Sequence, residues 1–343
     1  MTNLGSGGQA SIVSRRFASA EEFAGAICDA GVDHVPLQVG PYDARLTVLR
    51  LGPMTLQRAE DRAHVARGAV HPGRAVLLMP LRHCEPAVVN GRLVREADML
   101  LLAPGRELHC LCPAPMDWAS LALPAAEAEL LLELGRMPRM DSPAEPMRLV
   151  PPEAADTLRR VVAAAATLAE DLPGAVDRPG LVEALSDGLR ELVTEAFSRA
   201  ERPTPLHRRT QNEIRLVSTA EEFLRAHVAR PIYTEELCRA LGVSPRKLHH
   251  TFVAACGKSP QAYLKLRRLM LVHRALSAAG PEALLVKSVA LAHGFWHLGN
   301  FARNYREQFG ESPCETLARA RAGGGDQRPH RLAAAADRAA RSG

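Results

Sequence analysis

Two groups of side chains in this 343-residue sequence combine residue types and spacings that could do chemistry. The first group is a run of cationic and imidazole side chains in the C-terminal third: Arg246, Lys247, His249 and His250. Their N–H groups donate hydrogen bonds, and a guanidinium matches phosphate oxygens and guanine edges especially well. Such donors bind a polyanion together only if one structural element presents them on the same face.

The second group combines thiols and imidazoles near the middle of the N-terminal half: His71, His83-Cys84 and His109-Cys110-Leu111-Cys112. A Cys-x-Cys pair on a strand places both thiols on one face. A closed zinc site needs four ligands, however, and no second Cys-x-x-Cys pair accompanies this one. The sequence therefore favours small buried residues here, and it leaves a metal- or thiol-based sensor using His109, Cys110 and Cys112 as the alternative.

The first group lies within one of two copies of a single sequence pattern. One copy holds Leu248, Phe252 and Gly257-Lys258-Ser259-Pro260, and the other holds Phe301, Tyr305 and Gly310-Glu311-Ser312-Pro313, offset by 53 positions throughout. Upstream of each copy, a small residue precedes a glycine by four positions: Cys238 before Gly242, and Ala290 before Gly294. This spacing is typical of a helix-turn-helix, because the helices cross closely and glycine permits a left-handed turn. We predict motifs over residues 234–256 and 287–309.

In the first copy, the sequence predicts which side chains face outward. Thr234 can cap the first helix, and Ser244 caps the second helix with Pro245 in its first position. Leu248 and Phe252 face inward because they are four residues apart. The cationic and imidazole side chains then remain outside, near the helix start. That is the part of a recognition helix that reaches base edges.

In the second copy, His297 or its neighbour caps the corresponding helix, and Phe301 and Tyr305 form the inner stripe. The predicted outward residues are Leu298, Gly299, Ala302 and Arg303. Arg303 is the strong donor among them, so we expect this copy to read sequence more weakly and to contribute positioning.

The distribution of charge supports a polyanion partner for the C-terminal part only. The formal net charge of the chain is +5, but residues 204–322 carry +9 and the remainder carries −4. A long helix from Pro260 to about Ala278 links the two copies. Recognition helices about 34 Å apart would enter successive major-groove turns of duplex DNA.

The N-terminal part has a different pattern. We expect residues 1–16 to be disordered, and Ser19-x-x-Glu22 to be a capping box opening a short helix. Residues 17–135 contain six to eight short strands with turn signals such as Asn90-Gly91, which predicts a sandwich or small barrel. Residues 136–203 combine a linker with two helices that each carry an apolar stripe. We expect the stripes to pack on the β-domain or on each other, and a dimer interface is the second possibility. Residues 323–343 read as a disordered tail.

Several classes of protein are disfavoured. No run of 18 apolar residues predicts a membrane span, and residues 1–16 lack the apolar core of a secretory signal. Seven scattered cysteines fit a reducing cytoplasm better than a disulfide framework. No Gly-x-Ser-x-Gly, P-loop or paired-carboxylate pattern suggests an enzyme.

The C-terminal segment, from about residue 210 to 322, closely resembles the AraC/XylS family of transcriptional regulators. The resemblance rests on the two motifs, the two Gly-x-Ser-Pro turns and the Arg267-Arg268-Leu269 helix. It implies that DNA bases are touched by Arg246, His249 and His250 in the first motif and by Leu298, Gly299, Ala302 and Arg303 in the second. Position 250 is usually arginine in the family and is histidine here. The N-terminal part resembles the family's cupin-like effector domain far more loosely, and it lacks the His-x-His plus Glu spacing of metal-binding cupins.

The resemblance implies an α+β protein with three parts: an N-terminal β-rich cupin-like barrel or sandwich, a helical linker, and a C-terminal all-α domain over residues 204–322. It also implies a cytoplasmic, nucleoid-associated protein without a cofactor. The implied partners are promoter DNA, a small-molecule effector, RNA polymerase if the protein activates, and a second copy in a homodimer.

Overall fold

The structure is a computed structural model that describes residues 11–82, 87–90, 92–134, 147–150, 152–172, 174, 178, 180–198, 208–227, 232–279 and 285–323. Within these ranges the chain divides into two compact units. The first unit holds the described residues up to His227 and those from Ile232 to Lys265, and the second holds those from Leu266 onward. The division falls inside a single helix, within the C-terminal segment 204–322.

Twelve strands, numbered along the chain, form two antiparallel sheets in the described part of the first unit. The seven-stranded sheet contains, in spatial order, β1 (Ser11–Phe17), β3 (Ala44–Leu51), β4 (Met54–Asp61), β11 (Met116–Pro124), β6 (Arg74–Pro80), β9 (Met99–Leu102) and β12 (Met147–Val150). The five-stranded sheet contains β2 (Ala30–Pro36), β5 (His64–Val70), β10 (Glu107–Cys112), β7 (Ala87–Val89) and β8 (Arg92–Val94).

The two sheets form a sandwich, and the barrel alternative is wrong. A buried cluster between them takes Val76 and Leu100 from the larger sheet and Ala66 and Cys110 from the smaller one. The outermost strands of each sheet pair on one side only, so neither sheet closes on itself.

The first strand corrects the prediction that residues 1–16 are disordered. Ser11–Phe17 pairs along its whole length with β3, from Ser11 opposite Arg50 to Phe17 opposite Ala44. Phe17 is buried and anchors the strand. This pairing joins residues that are 27 to 39 positions apart, so no local pattern predicts it. Residues 1–10 lie outside the described residues, as do residues 324–343 of the predicted tail.

A short helix at the edge of the sandwich has the predicted serine cap: the Ser19 side chain accepts a hydrogen bond from the Glu22 backbone N–H and opens α1 (Ala20–Ala26). Its Phe23 packs with Leu46 and Val48 of β3, on the opposite face of the larger sheet from the helices that follow. Three further helices follow: α2 (Ala125–Leu134), α3 (Pro152–Asp171) and α4 (Leu181–Ser198). Leu158 of α3 and Leu189 of α4 are fully buried in one cluster with sheet residues such as Leu77. The predicted packing of these helices on the β-domain is thus confirmed, and the dimer interface stays a prediction.

One glycine marks a close approach of two strands in the smaller sheet. A Cβ added at Gly68 of β5 would overlap the backbone carbonyl of Gly31 on the neighbouring β2, whereas a Cβ added at Gly31 meets nothing within 4 Å. We expect Gly68→Ala to lower the free energy of unfolding by about 1–3 kcal/mol, the usual cost of overpacking. Denaturant unfolding with Gly31→Ala as the matched control measures this, and equal midpoints for the two variants would contradict the packing described.

All the described secondary-structure elements of the C-terminal segment are helices, as predicted. Its helices are α5 (Arg208–Ala226), α6 (Thr234–Leu241), α7 (Pro245–Cys256), α8 (Pro260–Ser277), α9 (Val286–Ala292), α10 (Leu298–Phe309) and α11 (Pro313–Gly323). The bounds of α7 and α10 differ by the 53 positions of the sequence repeat. Among the described helices, none is long and apolar enough to cross a membrane.

Candidate nucleic-acid interface and sandwich cavity

The first motif, residues 234–256, has the predicted turn and caps. Helix α6 ends at Gly242, whose φ of 64° lies in the left-handed region. The Ser244 hydroxyl accepts a hydrogen bond from the Lys247 backbone N–H at 3.3 Å, and Pro245 opens α7. Leu248 and Phe252 are fully buried. The caps and the buried pair together fix the direction in which α7 presents its other side chains.

Thr234 does not cap α6 as predicted. It is the first residue inside the helix, Tyr233 takes the cap position, and no side chain makes the cap hydrogen bond. The Thr234 hydroxyl instead accepts a hydrogen bond from the Gln261 side-chain amide at 3.0 Å. This bond ties the start of α6 to the start of α8, which explains why the hydroxyl is engaged away from its own helix.

The four predicted donors of the first motif are all exposed: Arg246, Lys247, His249 and His250. They line one open groove beside the start of α7, together with Ser244. Asn212 and Glu213 of α5 line the same groove and were missed by the sequence analysis. Helix α5 packs against both α6 and α7, so this contribution depends on packing that no local motif encodes.

The second motif, residues 287–309, repeats the scaffold with a longer turn. Gly294 takes the left-handed conformation with φ of 79°. The Phe295 ring packs against Phe301, with centroids 5.0 Å apart. Tyr305 is fully buried, and its hydroxyl hydrogen bonds to the Thr316 hydroxyl at 2.9 Å. His297 occupies the cap position of α10 without a side-chain hydrogen bond.

The outward face of the second motif differs from the prediction at one position. Gly299, Ala302 and Arg303 are exposed as predicted. Leu298 is half-buried and packs against the cluster around Phe301, because the first residue of α10 lies three positions before that inner residue. The fully outward placement of Leu298 is therefore wrong, while its contact with DNA stays a prediction.

Asn300 is the donor that the sequence analysis missed in the second motif. It is exposed, and its side-chain oxygen accepts a hydrogen bond from the Arg303 guanidinium at 3.1 Å. The 53-residue offset could have found it, because the offset maps Lys247 onto Asn300. An asparagine side chain is able to pair with adenine through two hydrogen bonds, and Asn300 places one next to Arg303. Trp296, two residues before the helix, is also exposed.

We expect Asn300→Ala to weaken specific DNA binding by about 1 kcal/mol, the low end for one bidentate base contact. The loss should be confined to sites with the preferred base at one position. Competition binding against a set of single-base variants measures it. Asn304→Ala, one turn further along the same helix, is the matched control, and an equal loss in both variants would exclude a base contact by Asn300.

A cavity of about 80 Å³ lies inside the sandwich of the first unit. A single water needs only about 10–15 Å³ on this measure, so the space admits a small ligand or several waters. Apolar side chains such as Val32, Leu78 and Trp118 form most of the wall.

Five buried polar side chains, called here the thiol–imidazole cluster, form one end of the cavity: His34, Asp61, His64, Cys110 and Cys112. The Cys110 and Cys112 sulfurs lie 3.4 Å apart, and Cys112 Sγ lies 3.3 Å from Met116 Sδ. Asp61 Oδ2 lies 3.1 Å from His34 Nε2 and 3.3 Å from His64 Nδ1. Two overlapping triads have the spacing of metal ligands, and they share His64.

His109 does not join the two thiols, which corrects the predicted trio of His109, Cys110 and Cys112. Side chains alternate along β10, so His109 faces away from the cluster. Both of its ring nitrogens are buried without a hydrogen-bond partner, and burial lowers its pKa to about 4. The imidazole next to the thiols is His64, which lies opposite Cys112 in the β5–β10 register. His71 lies elsewhere and accepts a hydrogen bond from the Gly73 backbone; His83-Cys84 lies outside the described residues.

The electrostatics of the cluster differ between its two imidazoles. Burial lowers the pKa of His34 to about 4, and the neighbouring His64 adds to this effect. Burial would also lower the pKa of His64, but the Asp61 carboxylate and the Cys110 thiol outweigh it and raise the value. Cys112 and His64 lower the pKa of the Cys110 thiol against the effect of burial. The cluster thus favours a thiolate at Cys110.

The paired turns, caps and exposed donors define the C-terminal segment as a tandem helix-turn-helix DNA-binding domain. A helix-turn-helix domain family model matches residues 237–319. A probable AraC family transcriptional regulator from Rhodopseudomonas palustris, of known structure, is 43% identical over 31% of this chain and 98% of its own, with a TM-score of 0.30. The chain belongs to the AraC/XylS family of transcriptional regulators.

Curated relatives match over the same segment. The XylDLEGF operon transcriptional activator 2 of Pseudomonas putida is 38% identical over 97 residues, which are 28% of this chain and 62% of that protein. The probable thc operon regulatory protein of Rhodococcus erythropolis is 35% identical over 102 residues, 30% of this chain and 31% of its own. The chain spans about a third of the length of most of these relatives, so the likeness concerns the DNA-binding domain.

Proposed function

We propose that this protein is a sequence-specific transcriptional regulator whose N-terminal sandwich takes a small effector and whose two motifs bind promoter DNA. The observation that carries the proposal is the exposed set of donors at the start of α7, held by a capped and fully packed helix-turn-helix. The same scaffold recurs 53 residues later with Asn300 and Arg303 on its exposed face.

The two motifs divide the work unequally. The first presents one guanidinium, one ammonium and two imidazoles on its exposed face. The second presents Arg303 and Asn300 beside Gly299 and Ala302, which offer only small surfaces to the groove. We expect the first motif to supply most of the discrimination between bases and the second to fix the register on the duplex.

A chain of polar contacts supports communication from the cavity to α3. Strand β11 contributes Met116 and Trp118 to the cavity wall and Asp117 to the opposite face. Asp117 forms a paired hydrogen bond with Arg58 of β4 at 3.0 and 2.9 Å. Arg58 also donates to Thr167 of α3 at 3.2 Å. A ligand that moves β11 would therefore move the C-terminal part of α3 around Thr167, because Arg58 connects the two.

The last turns of α3 support a homodimer. Leu168 is 44% exposed and Leu172, four residues later, is 49% exposed. Residues four apart on a helix share one face, so these two leucines form an exposed apolar patch next to the Arg58 contacts. A second copy of the chain that covers them would link the effector state to dimer geometry. A regulator that activates would also contact RNA polymerase.

Footprinting of the full chain on the promoters of its own and adjacent genes tests the proposal. We expect a protected site whose binding weakens steeply as salt rises, because cationic side chains release counterions from phosphates. Sedimentation of the same protein should give a dimer that Leu168→Glu converts to a monomer. No protected site on any of these promoters would contradict the proposed function.

A further inference from the structure

We infer that the polar end of the sandwich cavity is a binding site for a soft metal ion, monovalent copper, with His64, Cys110, Cys112 and Met116 as ligands. The inference deepens the proposed function by naming the chemical class of the effector. Regulation by the ion rests on that proposed function, whereas binding of the ion does not.

The ligand atoms already converge. One ligand atom each from His64, Cys110 and Cys112 lies within 4.8 Å of the others. Metal–sulfur bonds of about 2.3 Å and metal–nitrogen bonds of about 2.0 Å place the ligands of one ion at most about 4.5 Å apart. The 3.4 Å separation of the two thiols and the 3.3 Å approach of Met116 Sδ to Cys112 lie inside that limit. An ion therefore fits with small side-chain movements.

The surroundings orient His64 as a ligand. Its Nδ1 lies 2.8 Å from the Arg62 carbonyl oxygen, to which it donates, so Nε2 is the nitrogen that remains for the thiol side. Metal-binding imidazoles commonly donate their other N–H to a carbonyl or carboxylate in this way. The ring also stacks on His34, with centroids 4.2 Å apart, which fixes its plane.

The donor set selects copper over zinc. Three of the four ligand atoms are sulfur, and one of these is a thioether, which soft Cu(I) accepts well. Zinc would draw its fourth ligand from nitrogen or oxygen instead, such as His34 or Asp61. The position of Met116 at the thiols, with Asp61 directed toward the imidazoles, favours the sulfur-rich set.

A disulfide between Cys110 and Cys112 is less favoured by the strand geometry. Residues i and i+2 of an antiparallel strand are separated by about 6.8 Å, the upper end of the Cα distances that disulfides span. Such a bond would leave His64 and Met116 without a role in the cluster.

The test is an anaerobic titration of the metal-free full chain with Cu(I) against a chromophoric Cu(I) chelator, with Zn(II) titrated in parallel. We expect one tightly held Cu(I) per chain. Cys110→Ser and Cys112→Ser should each weaken Cu(I) binding about 100-fold or more, and His64→Gln about 10- to 100-fold. Met116→Leu, which keeps the side-chain volume, should weaken Cu(I) binding about tenfold and leave Zn(II) binding unchanged.

Cys28→Ser is the matched control, because Cys28 lines the same cavity outside the cluster. Circular dichroism of each variant verifies that the sandwich is folded. Unchanged Cu(I) affinity in the folded cluster variants would overturn the site. Zn(II) binding that is tighter than Cu(I) binding and is unaffected by Met116→Leu would also overturn it. Recovery of a Cys110–Cys112 disulfide from a protein that holds no Cu(I) would also overturn it.

Footprinting with and without Cu(I) separates the two proposals. A shift of at least tenfold in specific DNA affinity, absent in Cys112→Ser, supports regulation by the ion. Specific DNA binding by a chain that holds no Cu(I) would overturn the metal site and leave the proposed function standing. Cu(I) binding without any specific DNA site would contradict the proposed function and leave the metal site standing.

Discussion

Arg246→Ala should weaken binding of the full chain to its specific DNA site by about 1–3 kcal/mol. Arg246 is exposed in the first turn of α7, beside His249 and His250, and a guanidinium is the side chain that reads guanine through two hydrogen bonds. Affinity for random duplex DNA should fall much less, since one phosphate contact is a small part of nonspecific binding. Fluorescence anisotropy with both duplexes at one salt concentration measures the two losses.

Arg239→Ala is the control for Arg246→Ala. Arg239 is an exposed guanidinium in the last turn of α6, within the same motif but off the recognition helix. Its loss removes the same charge without removing the proposed base contact, so specific and random DNA should lose affinity equally. The same equal loss in Arg246→Ala would show that Arg246 contacts phosphate alone.

Phe252→Ala should unfold the first motif and abolish specific DNA binding. The ring is fully buried and packs edge-on against Tyr263, with centroids 5.8 Å apart. Truncation of a buried phenylalanine costs about 3–5 kcal/mol, which is a large part of the stability of a typical domain. Amide hydrogen exchange should show fast exchange over residues 234–256.

Val253→Ala provides the comparison for Phe252→Ala. Val253 is the next residue along α7 and is 44% exposed, so its truncation should change stability by less than about 0.5 kcal/mol. Wild-type exchange rates over residues 234–256 in the Phe252→Ala protein would contradict the described packing.

Local chemistry explains why the C-terminal segment could be predicted closely. Gly242, Ser244 and Pro245 act within a few residues of their position in the chain, and their turn and caps are confirmed. The buried pair in each motif follows from helical spacing alone. Thr234 failed as a cap because Gln261, more than twenty residues away, competes for its hydroxyl.

Long-range pairing explains most of what could not be predicted. Strand β1 forms because it pairs with β3, and the alternation of apolar and polar residues within β1 is too weak to predict a strand. The partner of the Cys-x-Cys pair is His64 rather than the adjacent His109, because the β5–β10 register places His64 opposite Cys112. One sequence does not reveal register, and a shift by one residue exchanges the two faces of a strand.

A base-substitution scan of the bound DNA site with the wild type, Arg246→Ala and Arg303→Ala tests most directly whether the two motifs read DNA unequally. We expect two clusters of sensitive base pairs, and the cluster with the larger penalties should lose its sensitivity in Arg246→Ala. Arg303→Ala should reduce the penalties for base substitution in the second, less sensitive cluster of base pairs. Equal penalties in both clusters, or a single cluster unaffected by Arg246→Ala, would contradict the unequal reading of DNA by the two motifs.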